Sequence, residues 1–223
     1  MSTNKELRSA ARSELSGYWT MPVLATLVYF LISAVCGVPQ TVQSAFPTSS
    51  AGVIFSGVGL ALSILVLVPL GYGFVLCFLN FVRGSKEDTV DRMFDGFRTY
   101  GRAIGVQLLT AVFEFLWMLL LVVPGIIKCF AYSMTVYIAQ DHPELSANEC
   151  IDRSQDMMRG HKWELFMLYL SFIGWFLLSI LSLGIGLLWL VPYVNVSVAK
   201  FYEELKAEQE LVEDQAPAAE VAE

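Results

Sequence analysis

The sequence predicts an all-α fold, a polytopic helical membrane bundle of about six transmembrane helices arranged as three hairpins, each preceded by a short amphipathic cytoplasmic helix. Three observations carry this. The 223-residue chain is 56% hydrophobic and 16% charged, with a mean hydropathy of +0.58, whereas soluble domains carry about a quarter charged residues. No Asp, Glu, Lys, Arg or His occurs between Leu15 and Val82. The other apolar stretches are interrupted by Pro or Gly, and nearly all Lys and Arg lie between them.

As one helix the uncharged stretch would reach roughly 100 Å, against a hydrocarbon core of about 30 Å, so it must fold back. Pro39, Pro47 and the Pro-Thr-Ser-Ser-Ala-Gly run supply the break, leaving one span near residues 19–38 and a longer one near 53–82. Pro69, Gly71 and Gly73 are placed to kink or tilt the longer one. The next apolar stretch, 103–140, is broken by Pro124-Gly125, and the last, 165–199, by Gly184-Ile185-Gly186. Residues 126–140 form a short piece that either spans or re-enters. Four spans is the alternative count.

Orientation follows from the cations, because short cytoplasmic loops hold Lys and Arg. With six spans, Lys5, Arg8 and Arg12, the group from Arg83 to Arg102, the group from Arg153 to Lys162, and Lys200 with Lys206 all share one face, and only Lys128 is left over. Both termini are therefore expected in the cytoplasm. The first apolar segment is too long for a cleavable signal. Residues 1–206 read as one membrane domain, and 207–223 as a disordered acidic cytoplasmic tail, since seven acidic residues between Glu204 and Glu223 face only Lys206. This tail accounts for most of the net charge of −7.

Each hairpin is preceded by a polar helix with a capping signal and an apolar stripe. Thr3 to Glu6 opens the first, with Leu7, Ala11 and Leu15 in register. Ser85 to Asp88 opens the second, and Ser146 to Glu149 the third. Three copies of helix plus hairpin is the simplest grammar, with the helices lying in the cytoplasmic interface under the bundle. A docking face for a partner is the sharper reading of them.

The runs Val123-Pro124-Gly125-Ile126-Ile127-Lys128, Asp141-His142-Pro143-Glu144, Gly160-His161-Lys162-Trp163-Glu164 and Gly184-Ile185-Gly186, with Leu7-Arg8, Ala11-Arg12 and Phe94-Asp95-Gly96-Phe97, resemble the bacterial integral-membrane family called domain of unknown function 975. The resemblance reaches from the first helix to Leu205. It implies a multi-span protein of the bacterial cytoplasmic (inner) membrane and no established activity.

The intramembrane polar candidates are Glu114, Lys128 and Asn195. An ionisable group in mid-span costs roughly 2.5–3.5 kcal/mol or more, so Glu114 reads as a proton or cation site, or as a protonated carboxyl bonded between helices. Lys128 pairs with it by sign but not by depth: from a turn at Pro124-Gly125, Glu114 lies about 15 Å away and Lys128 about 5 Å. Lys128 is instead placed to snorkel to the outer interface. Asn195, Gln107 and Tyr132 are candidates for interhelical hydrogen bonds, and Gly101 and Gly105 for close helix approach.

No catalytic motif, phosphate loop or dinucleotide fingerprint is present, and His142 and His161 do not have metal-helix spacing. The expectation is a non-enzyme without cofactor or metal. Its partners are the lipid bilayer and another membrane or cytoplasmic protein, not nucleic acid, for which a basic stripe is missing. A scaffold or accessory protein leads, and a small permease or channel using Glu114 is the alternative. An enzyme acting on lipid lacks any catalytic set.

Overall fold

The computed structural model describes residues 3–45 and 50–220, and among them every regular element is helical. Helix α1 (Asn4–Leu15) opens on the predicted capping box: the Thr3 hydroxyl accepts from the Glu6 amide and the Glu6 carboxylate accepts from the Thr3 amide. Leu7, Ala11 and Leu15 form its buried stripe. Gly17, at φ 87°, lets the chain reverse into α2 (Thr20–Ala45). Pro39, expected to help end this segment, lies inside α2; Pro47, Thr48 and Ser49, the core of the predicted break, lie outside the described residues.

The chain returns through α3 (Ser50–Leu62), a π-helical turn (Ser63–Leu67) and α4 (Val68–Val82). Pro69 has no amide for the helical ladder. One residue earlier the Val68 amide bonds Ser63 instead of the usual carbonyl, so a wider turn takes up the mismatch. Next, the second polar helix departs from expectation. Asp88 caps nothing with its side chain, and two short pieces follow, α5 (Thr89–Met93) and α6 (Asp95–Arg98). Both press on α4: a Cβ on Gly73 would strike the Met93 carbonyl, and one on Gly96 the Pro69 carbonyl.

After α7 (Tyr100–Leu120) the reversal falls at extended Leu121, before the predicted Pro124-Gly125 break. Those two residues sit in the first turn of α8 (Val122–Tyr132), where a missing amide breaks no helical bond. A bend at Ser133-Met134 leads to α9 (Thr135–Asp141). Helix α10 (Ala147–Met157) opens on the predicted Ser146/Glu149 capping box. Then come α11 (Lys162–Leu170), α12 (Ile173–Leu181) and α13 (Leu187–Glu220), with the predicted reversal between α12 and α13 using positive φ at Leu183 (55°) and Gly184 (85°).

Among the described residues, five stretches are long and apolar enough to cross a membrane: Thr20–Pro39, Val53–Val82, Tyr100–Leu120, Val122–Asp141 and Lys162–Leu181. The sixth predicted stretch does not reach that length in α13, where the uncharged run from Leu187 ends at Lys200, with Glu203 and Glu204 close behind. Residues 126–140 belong to the Val122–Asp141 stretch. Helix α13 is described as far as Glu220.

The polar helices pack beside the longer ones. On α13, Tyr193 Oη donates to the Arg8 carbonyl of α1 at 3.0 Å and Lys200 Nζ reaches Glu14 at 3.2 Å. Helices α5 and α6 lie on α4 through the two glycine contacts. On α10, Ser154 Oγ donates to the Ala131 carbonyl at 2.8 Å and accepts from the Met134 amide at 3.2 Å. The stripe of α1 is thus covered by its neighbours and Ser154 ties α10 to α8 and α9, whereas Phe94 and Phe97 of the second polar segment stay exposed.

Burial is uneven along the helices. Leu15, Phe78, Phe81, Leu79, Ile138, Phe201 and Tyr202 form a dense base around the polar helices. Away from it the side chains are apolar and uncovered: Val53 is 70% exposed, Leu119 73% and Leu183 94%. A surface of that kind belongs in lipid.

Candidate functional site

The three predicted intramembrane residues do not come together as a site. Glu114 on α7 is half-buried and makes no hydrogen bond or ion pair among the described residues. A cavity along the same helix is lined by Phe113, Leu116, Trp117, Leu119 and Leu120. Lys128 on α8 turns toward α10, where its Nζ donates to Gln155 Oε1 at 2.6 Å and lies 4.9 Å from the Trp117 ring. An amide acceptor and an indole face thus satisfy the ammonium within the fold. Asn195 Nδ2 donates to Val191 O of its own helix at 2.9 Å, so no interhelical bond forms there. With its amide swapped to suit its surroundings, Gln107 bonds Val68 O at 3.0 Å and Tyr72 N at 2.7 Å, linking α7 to α4. No Cβ contact lies within 4 Å of Gly101 or Gly105, so neither marks a close helix approach.

The strongest polar constellation is one the sequence reading does not single out. Asp141, with 7% of its side chain exposed, ends α9 and receives bonds from three side chains on two other elements, the end of α4 and α13. Arg83, the C-cap of α4, grips both carboxylate oxygens at 2.7 Å, Tyr202 Oη donates at 2.9 Å and Lys206 Nζ sits at 2.9 Å. Arg83 Nε also bonds Glu203 at 2.7 Å. Its hydrogen bond to Asp141 raises the Arg83 pKa above its ordinary value, so this cation is permanent. A two-pronged guanidinium–carboxylate pair fixes direction as well as distance.

Arg102 holds Asp141 in position from behind. Nε donates to Ala139 O at 3.0 Å, Nη2 to His142 O at 2.7 Å, and Nη1 to Pro143 O at 2.8 Å and Leu145 O at 2.9 Å. These are carbonyls at the end of α9 and the turn beyond, which the helix cannot satisfy itself. Farther along the base, Glu14 of α1 meets Lys86 at 3.0 Å and Lys200 at 3.2 Å. The Lys86 hydrogen bond holds the Glu14 carboxyl below its ordinary value of 4.5. His142 and His161 each bond a nearby glutamate, Glu144 at 3.1 Å and Glu164 at 3.0 Å, and no group of three metal-type ligands occurs among the described residues.

Asp141 was legible only as part of the Asp-His-Pro-Glu run, and Arg83 and Arg102 only as inner-face cations. Their meeting depends on three helices ending at one level.

Helices this apolar, bare at one end and charge-locked at the other, define the class as a membrane-embedded helical protein. The family model for the protein of unknown function DUF975 matches residues 1–129 and 119–209, and the chain belongs to that family. Comparisons with curated proteins and with solved structures gave no match.

Proposed function

We propose that this protein is a membrane-embedded scaffold or accessory protein of the cytoplasmic membrane, with both termini and the charged base in the cytoplasm. The base holds the helices at fixed spacing and presents the outer face of α10 to a protein partner. The observation that carries this reading is the distribution of polar groups. They are concentrated and mutually satisfied at the base, around Asp141 and Arg102, while the cavity along α7 at Trp117 is lined by apolar side chains and Glu114 has no hydrogen bond or ion pair among the described residues. A path for ions would need the opposite arrangement. On α10, the exposed side chains of Asn148, Asp152 and Asp156 point away from the stripe of Cys150, Ile151 and Ser154.

A photo-crosslinking residue placed at Asn148 or Asp152 in cells is expected to yield a discrete adduct, the same from both positions, that a residue placed at Leu108 does not give. Absence of any reproducible adduct would remove the docking role. A permease is the second reading, favoured by the unpartnered carboxyl of Glu114. It requires proton-linked flux that Glu114→Gln abolishes and Glu114→Asp partly keeps.

A further inference from the structure

Between α1 and the α12–α13 reversal lies a cavity of about 410 Å³ whose lining includes Arg8, Arg12, Trp19, Trp175, Ser179 and Trp189. Two cations line it and no acidic side chain does. We propose that it binds an anionic phospholipid, with the phosphate on Arg8 and Arg12 and the acyl chains against Trp175, Leu178 and Trp189. The proposal goes beyond the scaffold reading and shares with it only the placement of the chain in a membrane.

The cations are free to do this. Arg8 is held by its own backbone and one nitrogen: its carbonyl accepts from Tyr193 Oη at 3.0 Å, Nη1 donates to Ser171 O at 3.3 Å, and the guanidinium lies 5.2 Å from the Phe172 ring centre. Its Nε is buried with no partner, which an acceptor entering the cavity would supply. The Arg12 side chain makes no hydrogen bond or ion pair among the described residues, and the residue is exposed. Glu14, the neighbouring carboxylate, is already taken by Lys86 and Lys200. Guanidinium forks suit the paired oxygens of a phosphate.

The walls select a lipid over a free anion. Gly186 allows the reversal to close on α12, because a Cβ there would sit 2.7 Å from Ser179 Oγ, so one side of the cavity is backbone and small side chain. Its other side is apolar and continues outward: Trp175, Leu178 and Trp189 are all about half exposed, in line with the uncovered apolar surface of α12. Indoles beside cations are a usual setting for a bound anionic lipid. A soluble phosphate has no use for that apolar wall.

The test uses the full chain in phosphatidylcholine vesicles, with either dibrominated phosphatidylglycerol or dibrominated phosphatidylcholine at one mole fraction, and reads quenching of tryptophan fluorescence. The brominated phosphatidylglycerol is expected to quench more strongly. Arg12→Gln, which breaks no bond in the fold, should lower its preference about fivefold, the scale of one basic group beside an anionic lipid. Arg8→Gln combined with Arg12→Gln should bring the two lipids level. Equal quenching in the natural chain overturns the proposal. So does loss of the preference on adding inorganic phosphate, which would assign the cavity to a free anion. No quenching by either lipid would overturn the membrane placement as well, so the two failures are told apart.

Discussion

Arg102→Ala removes the clamp behind Asp141 and is the most informative single change in the base. Four carbonyls lose a charged donor: those of Ala139, His142, Pro143 and Leu145, at 2.7 to 3.0 Å. A hydrogen bond to a charged group contributes about 1.5–3 kcal/mol when buried, and a typical one about 1 kcal/mol. Ala139 is buried, but Pro143 is exposed and its carbonyl can turn to water, and His142 and Leu145 are only partly buried, so the lower figure applies to most of them. The expected loss is about 3 kcal/mol, or about 6–12 °C in Tm for a chain of this size. Arg102→Lys keeps the charge but not the fork and should recover less than half of that. Arg98→Ala serves as the control: its pair with Asp95 is 3.5 Å long and its side chain 84% exposed, so its effect should stay within about 0.5 kcal/mol. Thermal unfolding in one mild detergent, followed by circular dichroism, compares all three. An Arg102→Ala protein that melts within about 2 °C of the natural one would refute the reasoning.

Other predictions concern the same base. A double-mutant cycle on Arg83→Ala and Asp141→Asn should return a coupling of about 1–2 kcal/mol, and additivity would show that the pair does not lock α4 to α9. Gly96→Ala should cost about 1–3 kcal/mol, because its Cβ meets the Pro69 carbonyl and neither backbone can yield; Gly101→Ala, with nothing within 4 Å, should be neutral or stabilising. Because Lys86 holds the Glu14 carboxyl below 4.5, its contribution is present at neutral pH and lost as pH falls through the lowered value. Glu14→Gln should therefore lower Tm at neutral pH and converge with the natural chain on acidification, and a constant gap would contradict this.

Much of the architecture is visible in sequence because lipid imposes strong patterning. The charge-free stretch, the capping boxes at Thr3 and Ser146, and the reversal at Gly184 all follow from local rules. The second polar helix defeats them: Ser85 to Asp88 has the right residues, yet crowding against Gly73 and Pro69 decides where the helix starts and breaks. The partner of Lys128 is likewise hidden in sequence, since its acceptor Gln155 lies on a separate helix 27 residues on. Asp141 and Arg102 look like ordinary loop charges, and only the convergence of helix ends gives them partners. Glu114, conspicuous in one dimension, makes no hydrogen bond or ion pair among the described residues.

The orientation of the chain is tested most directly by alkaline phosphatase fused at Thr48 and, separately, after Lys206. High activity from the Thr48 fusion and none from the Lys206 fusion is the predicted result, with the base facing the cytoplasm. An inactive Thr48 fusion beside an active Lys206 fusion would invert the molecule and contradict the account.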